Sequence, residues 1–157
     1  MDKEEARQNR RALKSLLDSA GYHTRRAGEY SYEIAFGGKY RHWEIQTHLH
    51  NGWLGFRVYF MDLPQPGALR SKLFERVAEL NDDLTVLKFV KSGDILALDM
   101  QYRKEHIDAE VLRNVVGMVY AACEEHYPQL FRIVAGDETL SSLESAFQRR
   151  AITGGSQ

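Results

Sequence analysis

One stretch of this 157-residue chain is dense in groups that bind metals and move protons: His42, Glu44, Gln46, His48 and His50, at every second position. Side chains two apart on a β-strand share a face, so His48 and His50 are spaced to chelate one metal ion. Such a site needs a third ligand. His42 and Glu44 lie too far along the same strand, and Glu29 can serve only if the preceding strand reaches that far. The competing description is a pair of solvated histidines beside a turn, which leaves a metal-dependent enzyme or metal sensor using His48 and His50 as the secondary reading.

Other reactive side chains have plainer explanations. Glu44 and Arg57 are diagonal neighbours across a hairpin; the pair is either a carboxylate-recognition device or an ordinary cross-strand ion pair contributing about 0.2–1 kcal/mol. Cys123 and His126 have the spacing of a thiolate pair on a helix, yet Cys123 continues an apolar stripe, where cysteine behaves as a small hydrophobe. Gly37-Gly38 lacks the Lys-Ser/Thr ending of a phosphate loop and joins two strands. No Gly-x-Ser-x-Gly, Cys-x-x-Cys or His-Glu-x-x-His motif occurs. These readings point to a protein that is not an enzyme and has no cofactor.

The elements that position these residues follow from periodicity. Asp2 and Glu5 open a first helix with Ala6, Leu13, Leu16, Leu17 and Ala20 at helical spacing, closed by Gly21. Three strands follow: Tyr30 to Phe36, His42 to His50, and Trp53 to Met61. Gly37-Gly38 and Asn51-Gly52 are their turns, the second of type I′. Pro64 and Pro66 break the pattern before a second helix with Leu69, Leu73, Val77 and Leu80 on one face and Asn81 as a left-handed terminator. Two more strands, TVLKFV and DILALDMQY, precede a third helix capped by Asp108. Ile107 and Leu112 are its staple, Leu112, Val115, Val116, Val119 and Cys123 its stripe, and Pro128 its stop or kink. Asp137 caps a last helix carrying Leu140, Leu143 and Phe147. The order is α-β-β-β-α-β-β-α plus a C-terminal helix. It describes an α+β domain, an antiparallel sheet with helices on one face, over residues 1–150 with a flexible tail at 151–157.

The turns also predict a register. A two-residue Asn51-Gly52 loop places Leu49 opposite Leu54, Thr47 opposite Phe56, Ile45 opposite Val58 and Trp43 opposite Phe60. A two-residue Gly37-Gly38 loop places Tyr32 opposite Trp43 and Tyr30 opposite Ile45, on the same apolar face. The far face keeps the histidines and, beside them, the candidate partner-binding residues Trp53, Arg57, Tyr59, Met61, Val86, Val90 and Ile95. Aromatic residues, methionine and arginine are enriched at interface cores. An extra helix at Leu140 to Phe147 is the competing cover for that face. Gly117 and Ala121, one turn apart on the third helix and off its main stripe, are candidate dimer contacts.

Composition bounds the function classes. The formal net charge is −1, which sets up no global field toward nucleic acid or an anionic membrane. The basic start (Arg7, Arg10, Arg11, Lys14) and the acidic later part read as solvated helix faces rather than a polyanion-binding arm. Cys123 is the only cysteine, so no intrachain disulfide forms. A polar N-terminal stretch and the absence of a long apolar run lead to the expectation of a cytoplasmic protein with no membrane span.

Leu13, Leu16, Leu17, Gly21 and Tyr22 at the end of the first helix, the stretch LNDDLTVLKFVKSGDILAL, and DAEVLRNVVGMVYAACEEHYPQL together resemble the YbjN-type domain and the related type III secretion chaperone-like fold, over roughly Leu13 to Leu130. The resemblance implies a non-enzymatic, often homodimeric module that holds an extended segment of a protein or peptide partner by strand addition and apolar pockets. It carries over no catalytic residue. The near-neutral charge departs from the acidic character of many secretion chaperones.

Overall fold

The computed structural model describes residues 2–153, without the side chains of Asp137, Glu138, Phe147 and residues 150–153. Chain order is α1 (Lys3–Ser19), β1 (Arg25–Arg26), β2 (Ser31–Gly37), β3 (His42–His50), β4 (Trp53–Asp62), α2 (Ala68–Asp83), β5 (Lys88–Ser92), β6 (Ile95–Arg103), a 3-10 turn (Lys104–His106), α3 (Ala109–Ala135) and α4 (Asp137–Thr153). The strands form one antiparallel sheet in the order β1-β2-β3-β4-β6-β5. The expected α+β order holds, with β1 as an addition that two exposed arginines gave no reason to expect.

Strand β3 alternates exposed and buried along its whole length, and Trp43, Ile45, Thr47 and Leu49 are its buried set. That is the period-two pattern of a sheet covered on one side only. Asn51 at φ 50° and Gly52 at φ 74° make the tight turn into β4, and the pairs Leu49–Leu54, Thr47–Phe56 and Ile45–Val58 form as predicted. Beyond Val58 the β3–β4 ladder stops. Trp43 and Phe60 meet there as stacked rings 5.5 Å apart, and Arg41 Nη1 donates to the Phe60 carbonyl at 2.9 Å.

The β2–β3 register differs from the expected one. Tyr32 faces Thr47, Ile34 faces Ile45 and Phe36 faces Trp43, so the connection spans Gly38 to Arg41 rather than two glycines. The displacement is four residues, an even number, so Tyr32, Ile34 and Phe36 stay on their predicted face, whereas Tyr30 precedes β2 and is exposed. Gly38 is confined by close approach: a Cβ there would run into Glu124 Oε1, Trp43 Nε1 and the Arg41 carbonyl.

Three helix expectations need correction. Leu69 is exposed, because α2 has only begun at Ala68 and its buried stripe is Leu73, Val77 and Leu80. Asn81 does not end α2, which continues to Asp83; its carboxamide instead accepts from Phe89 N at 2.8 Å and donates to Phe89 O at 2.9 Å. Pro128 lies inside α3, which runs unbroken to Ala135. Asp108 does cap α3, accepting from Val111 N at 2.8 Å. Helix α4 runs to Thr153, past the boundary expected at 150, and packs on α3. The Asp137 cap and the Phe147 contact fall outside the described side chains, and residues 154–157 of the expected tail lie outside the described residues.

Replacing Asn81 with leucine strips two hydrogen bonds from the part-buried Phe89 backbone. A loss of about 2 kcal/mol in urea unfolding is expected, the magnitude for leaving such groups unpaired. An unchanged midpoint would show that water replaces the carboxamide freely.

Candidate functional site

Helices α1, α2 and α3 pack on one face of the sheet, and α4 lies on α3. Among the described residues nothing covers the other face. The suggested cover by Leu140 to Phe147 does not occur, since Leu140 belongs to the core cluster on the helix side and Lys39 pairs with Glu144 at 2.8 Å. The open face carries His42, Glu44, Gln46, His48 and His50 on β3, Trp53, Arg57 and Tyr59 on β4, and Ala97, Asp99, Gln101 and Arg103 on β6.

Trp53 is 38% exposed and Tyr59 40% exposed, at opposite ends of the β4 row. Each is held by a cation: Arg103 lies 4.5 Å over the Trp53 ring and Arg41 5.7 Å over the Tyr59 ring. The Tyr59 hydroxyl also bonds Asp62. Between them, Arg57 Nε and Nη2 donate to Asp99 Oδ1 and Oδ2 at 2.7 and 2.5 Å. The expected Glu44–Arg57 pair is therefore replaced. β4 pairs with β6, which puts Asp99 directly opposite Arg57, and Glu44 turns to Arg25 at 3.4 Å.

Val90 and Ile95 lie half-buried on this same face, as predicted. Two other candidates do not. Met61 is 5% exposed and joins the core, because a register shift between Tyr59 and Met61 inserts an extra residue in β4 and turns both Phe60 and Met61 inward. Val86 precedes β5 and is 50% exposed beside α3, where it lines a cavity of about 300 Å³ with Met118, Ala121 and His126. Gly117 and Ala121 are both exposed on α3, and a Cβ built on Gly117 meets nothing. The α3 candidates thus gain an unforeseen neighbour in Val86.

A cleft of about 560 Å³ opens beside His48, with His50, Arg57, Asp99, Gln101 and Glu29 among its walls. The His48 ring lies across Gly55, and a Cβ there would collide with ring atoms Cε1 and Nε2. Desolvation pushes the His48 pKa below the ordinary histidine value; Arg57 and His50 push the same way, and Asp99 opposes them. Glu29 does come near the histidines, yet among the described residues no group of three His, Cys, Asp or Glu side chains is placed to hold a metal ion. The metal reading therefore lacks its third ligand there.

The remaining titratable candidate is engaged elsewhere. The Cys123 thiol is buried and pushed up to about 12, mainly by desolvation, so it carries no thiolate at neutral pH. The His126 ring nitrogen Nδ1 is 2.9 Å from Gln129 Nε2, and Gln129 Oε1 accepts from Arg76.

His48 gives a pH prediction. Its folded pKa lies below the unfolded value, so its effect on stability is nil above about 6.5 and unfavourable as pH falls through that value toward the folded pKa. An NMR titration should find His48 below an ordinary histidine, and Gly55→Ala should displace the ring and move the midpoint back up. A midpoint indifferent to Gly55→Ala would detach the shift from this packing.

No protein-family model matches the chain, and no curated protein sequence matches it. Among solved structures, it is similar to a chain of the heterodimeric complex ExoU-SpcU from the type III secretion system of Pseudomonas aeruginosa. The TM-score is 0.56 at 14% identity, with 80% of this chain and 99% of that chain covered. No helix among the described residues is long and apolar enough to cross a membrane. At this identity the likeness concerns the fold alone, an α+β arrangement of helices on one side of an antiparallel sheet.

Proposed function

We propose that this domain is a non-enzymatic binding module that holds an extended segment of a protein or peptide partner against the open face of its sheet, as a regulatory adaptor or chaperone-like protein. The observation that carries the reading is the exposure of Trp53 and Tyr59 on a face that no described helix covers. Rigid aromatic side chains of this size anchor interfaces at low entropic cost, and Arg57, Val90 and Ile95 surround them with the mixed polar and apolar contacts that such surfaces use. Neither a cofactor nor a nucleic acid is part of the proposal, and the net charge of −1 gives a polyanion little attraction. The YbjN-type affiliation and a cytoplasmic location belong to the same reading.

The module acts as a homodimer in this reading, through α3. Met118 and Val86 stand exposed beside the Gly117–Ala121 face, which is smooth enough for a second helix to approach.

Two measurements test it. Tagged protein carrying Trp53→Ala and Tyr59→Ala together should lose a partner that co-purifies with the unaltered protein, by roughly tenfold or more, while its circular dichroism is unchanged. Retention of that partner would remove the open face from the proposal. Ala121→Glu places a charge in the α3 contact and should convert a dimer to a monomer in light scattering. A monomeric unaltered protein, or a dimer indifferent to Ala121→Glu, would remove the α3 interface.

A further inference from the structure

Three side chains on two helices settle the place of one proton. Arg76 on α2 reaches Gln129 on α3 with two nitrogens, Nε at 3.2 Å and Nη2 at 2.9 Å from Gln129 Oε1. A guanidinium only donates, so the carboxamide oxygen is the atom it meets and the carboxamide nitrogen faces the other way. That nitrogen stands 2.9 Å from His126 Nδ1. An amide nitrogen also only donates. Nδ1 therefore keeps its lone pair, and the neutral ring carries its proton on Nε2.

His126 is 8% exposed, and its ring meets Phe89 edge-on at 5.9 Å. Across the ring from Nδ1, the Nε2–H has no hydrogen-bond partner among the described residues, yet it is not one of the sealed side-chain atoms. The space that the ring borders is the cavity of about 300 Å³ between the α2–β5 connection and α3. A buried donor without an acceptor is destabilising, so an acceptor placed in that cavity is favoured. Leu84, Val86, Met118 and Ala122 supply apolar wall. Asp83 and Glu125 complete it as two exposed carboxylates, neither of them in an ion pair among the described residues. Lys88 is held by the carbonyls of Asn81 and Leu84 and is no part of the wall.

We infer that this cavity binds a small primary amine that carries an aliphatic body and an uncharged carbonyl. The carbonyl accepts from His126 Nε2–H, the aliphatic part lies against Val86 and Met118, and the ammonium meets Asp83 and Glu125. Arg76 and Gln129 are positioning residues that keep Nε2 a donor. An amino acid amide and the first residue of a peptide chain share this chemistry. A cavity of this size, at the lower limit for ligand sites, suits one such unit. The site stands apart from Trp53 and Tyr59 and goes beyond the open-face reading; Val86 and Met118 are shared with the proposed α3 contact.

The test uses isotope-labelled full-length protein. At mildly alkaline pH, where an ordinary imidazole is neutral, long-range proton–nitrogen spectra should show His126 protonated on Nε2. At neutral pH, L-leucinamide should then shift the His126 ring and the methyl groups of Val86 and Met118 saturably. N-acetyl-leucinamide lacks the ammonium and isoamylamine lacks the carbonyl, so each should bind about tenfold more weakly. Leucyl-alanyl-alanine amide separates the two sources: it binds as leucinamide does if the ligand is a chain end, and more weakly if the ligand is a free molecule. Val86→Trp fills the cavity from an exposed position and should abolish binding with circular dichroism unchanged. Glu125→Gln should narrow the preference for leucinamide over its acetylated form. Light scattering on the same samples reports the α3 contact separately, so failure of one reading is told from failure of the other. A ring protonated on Nδ1, no saturable shift with leucinamide, equal binding of the acetylated ligand or of isoamylamine, or binding that survives Val86→Trp would overturn the inference.

Discussion

The carboxylate of Glu124 on α3 accepts from the indole Nε1 of Trp43 at 2.6 Å and from the backbone N of Lys39 at 2.9 Å. Trp43 is fully buried, so its N–H has no water to turn to, and leaving it unpaired costs about 1–3 kcal/mol. One side chain thereby fixes α3 against both the third strand and the turn before it. The aromatic cluster spreads from that point. Trp43 stacks on Phe60 and meets Tyr127 edge-on at 5.4 Å, and Phe60 meets Phe89 at 5.0 Å. These contacts tie β3, β4, β5 and α3 into one core. Once the helices are committed to that side, the histidines and the β4 aromatics can only lie on the other.

How much of this was legible follows from which interactions are local. The alternation along β3 and the Asn51-Gly52 turn specified three β3–β4 pairs correctly, because both act within a few residues. The β2–β3 pairing was misplaced by an even number, so burial survived while the partners changed. Parity is set by the hydrophobic pattern, whereas the exact register also depends on the loop, and here that loop is shaped by Glu124 from a distant helix. The pairing of β4 with β6 is non-local and had no turn to announce it. The hairpin alone therefore points Arg57 at Glu44, while its partner Asp99 comes from a strand far along the chain.

The misplaced candidates share a cause. Met61 alternates correctly with Tyr59 in the sequence, and the bulge turns it inward; bulges leave no signature in composition. Val86 continues the strand pattern of the sequence, but β5 begins only at Lys88, so Val86 stays on the α2–β5 connection facing α3. Asn81 has the residue type of a helix terminator and serves the sheet edge instead, a role visible only once β5 is placed beside α2. Trp53, Arg57, Tyr59, Val90 and Ile95 needed nothing beyond alternation, and they lie on the face where alternation puts them.

The polar end of the open face illustrates how chemistry-bearing residue types acquire structural jobs. His48 fills the trough over Gly55, Arg57 is bound on two nitrogens by Asp99, and Glu44 shares Arg25 with Glu33. A side chain fixed this way loses little conformational entropy when a ligand arrives, which favours recognition by a preorganised surface. Proton transfer asks for something different: a group whose partner can be exchanged for a substrate at the moment of reaction. The bidentate Arg57–Asp99 pair would have to be broken for either member to take that part. The same rigidity presents Trp53 and Tyr59 at fixed positions, each beneath its own arginine. The spacing of His42, Glu44, Gln46, His48 and His50 thus follows from a strand that buries its other side, and it leaves a polar margin along β3 beside the exposed Trp53 and Tyr59 of β4.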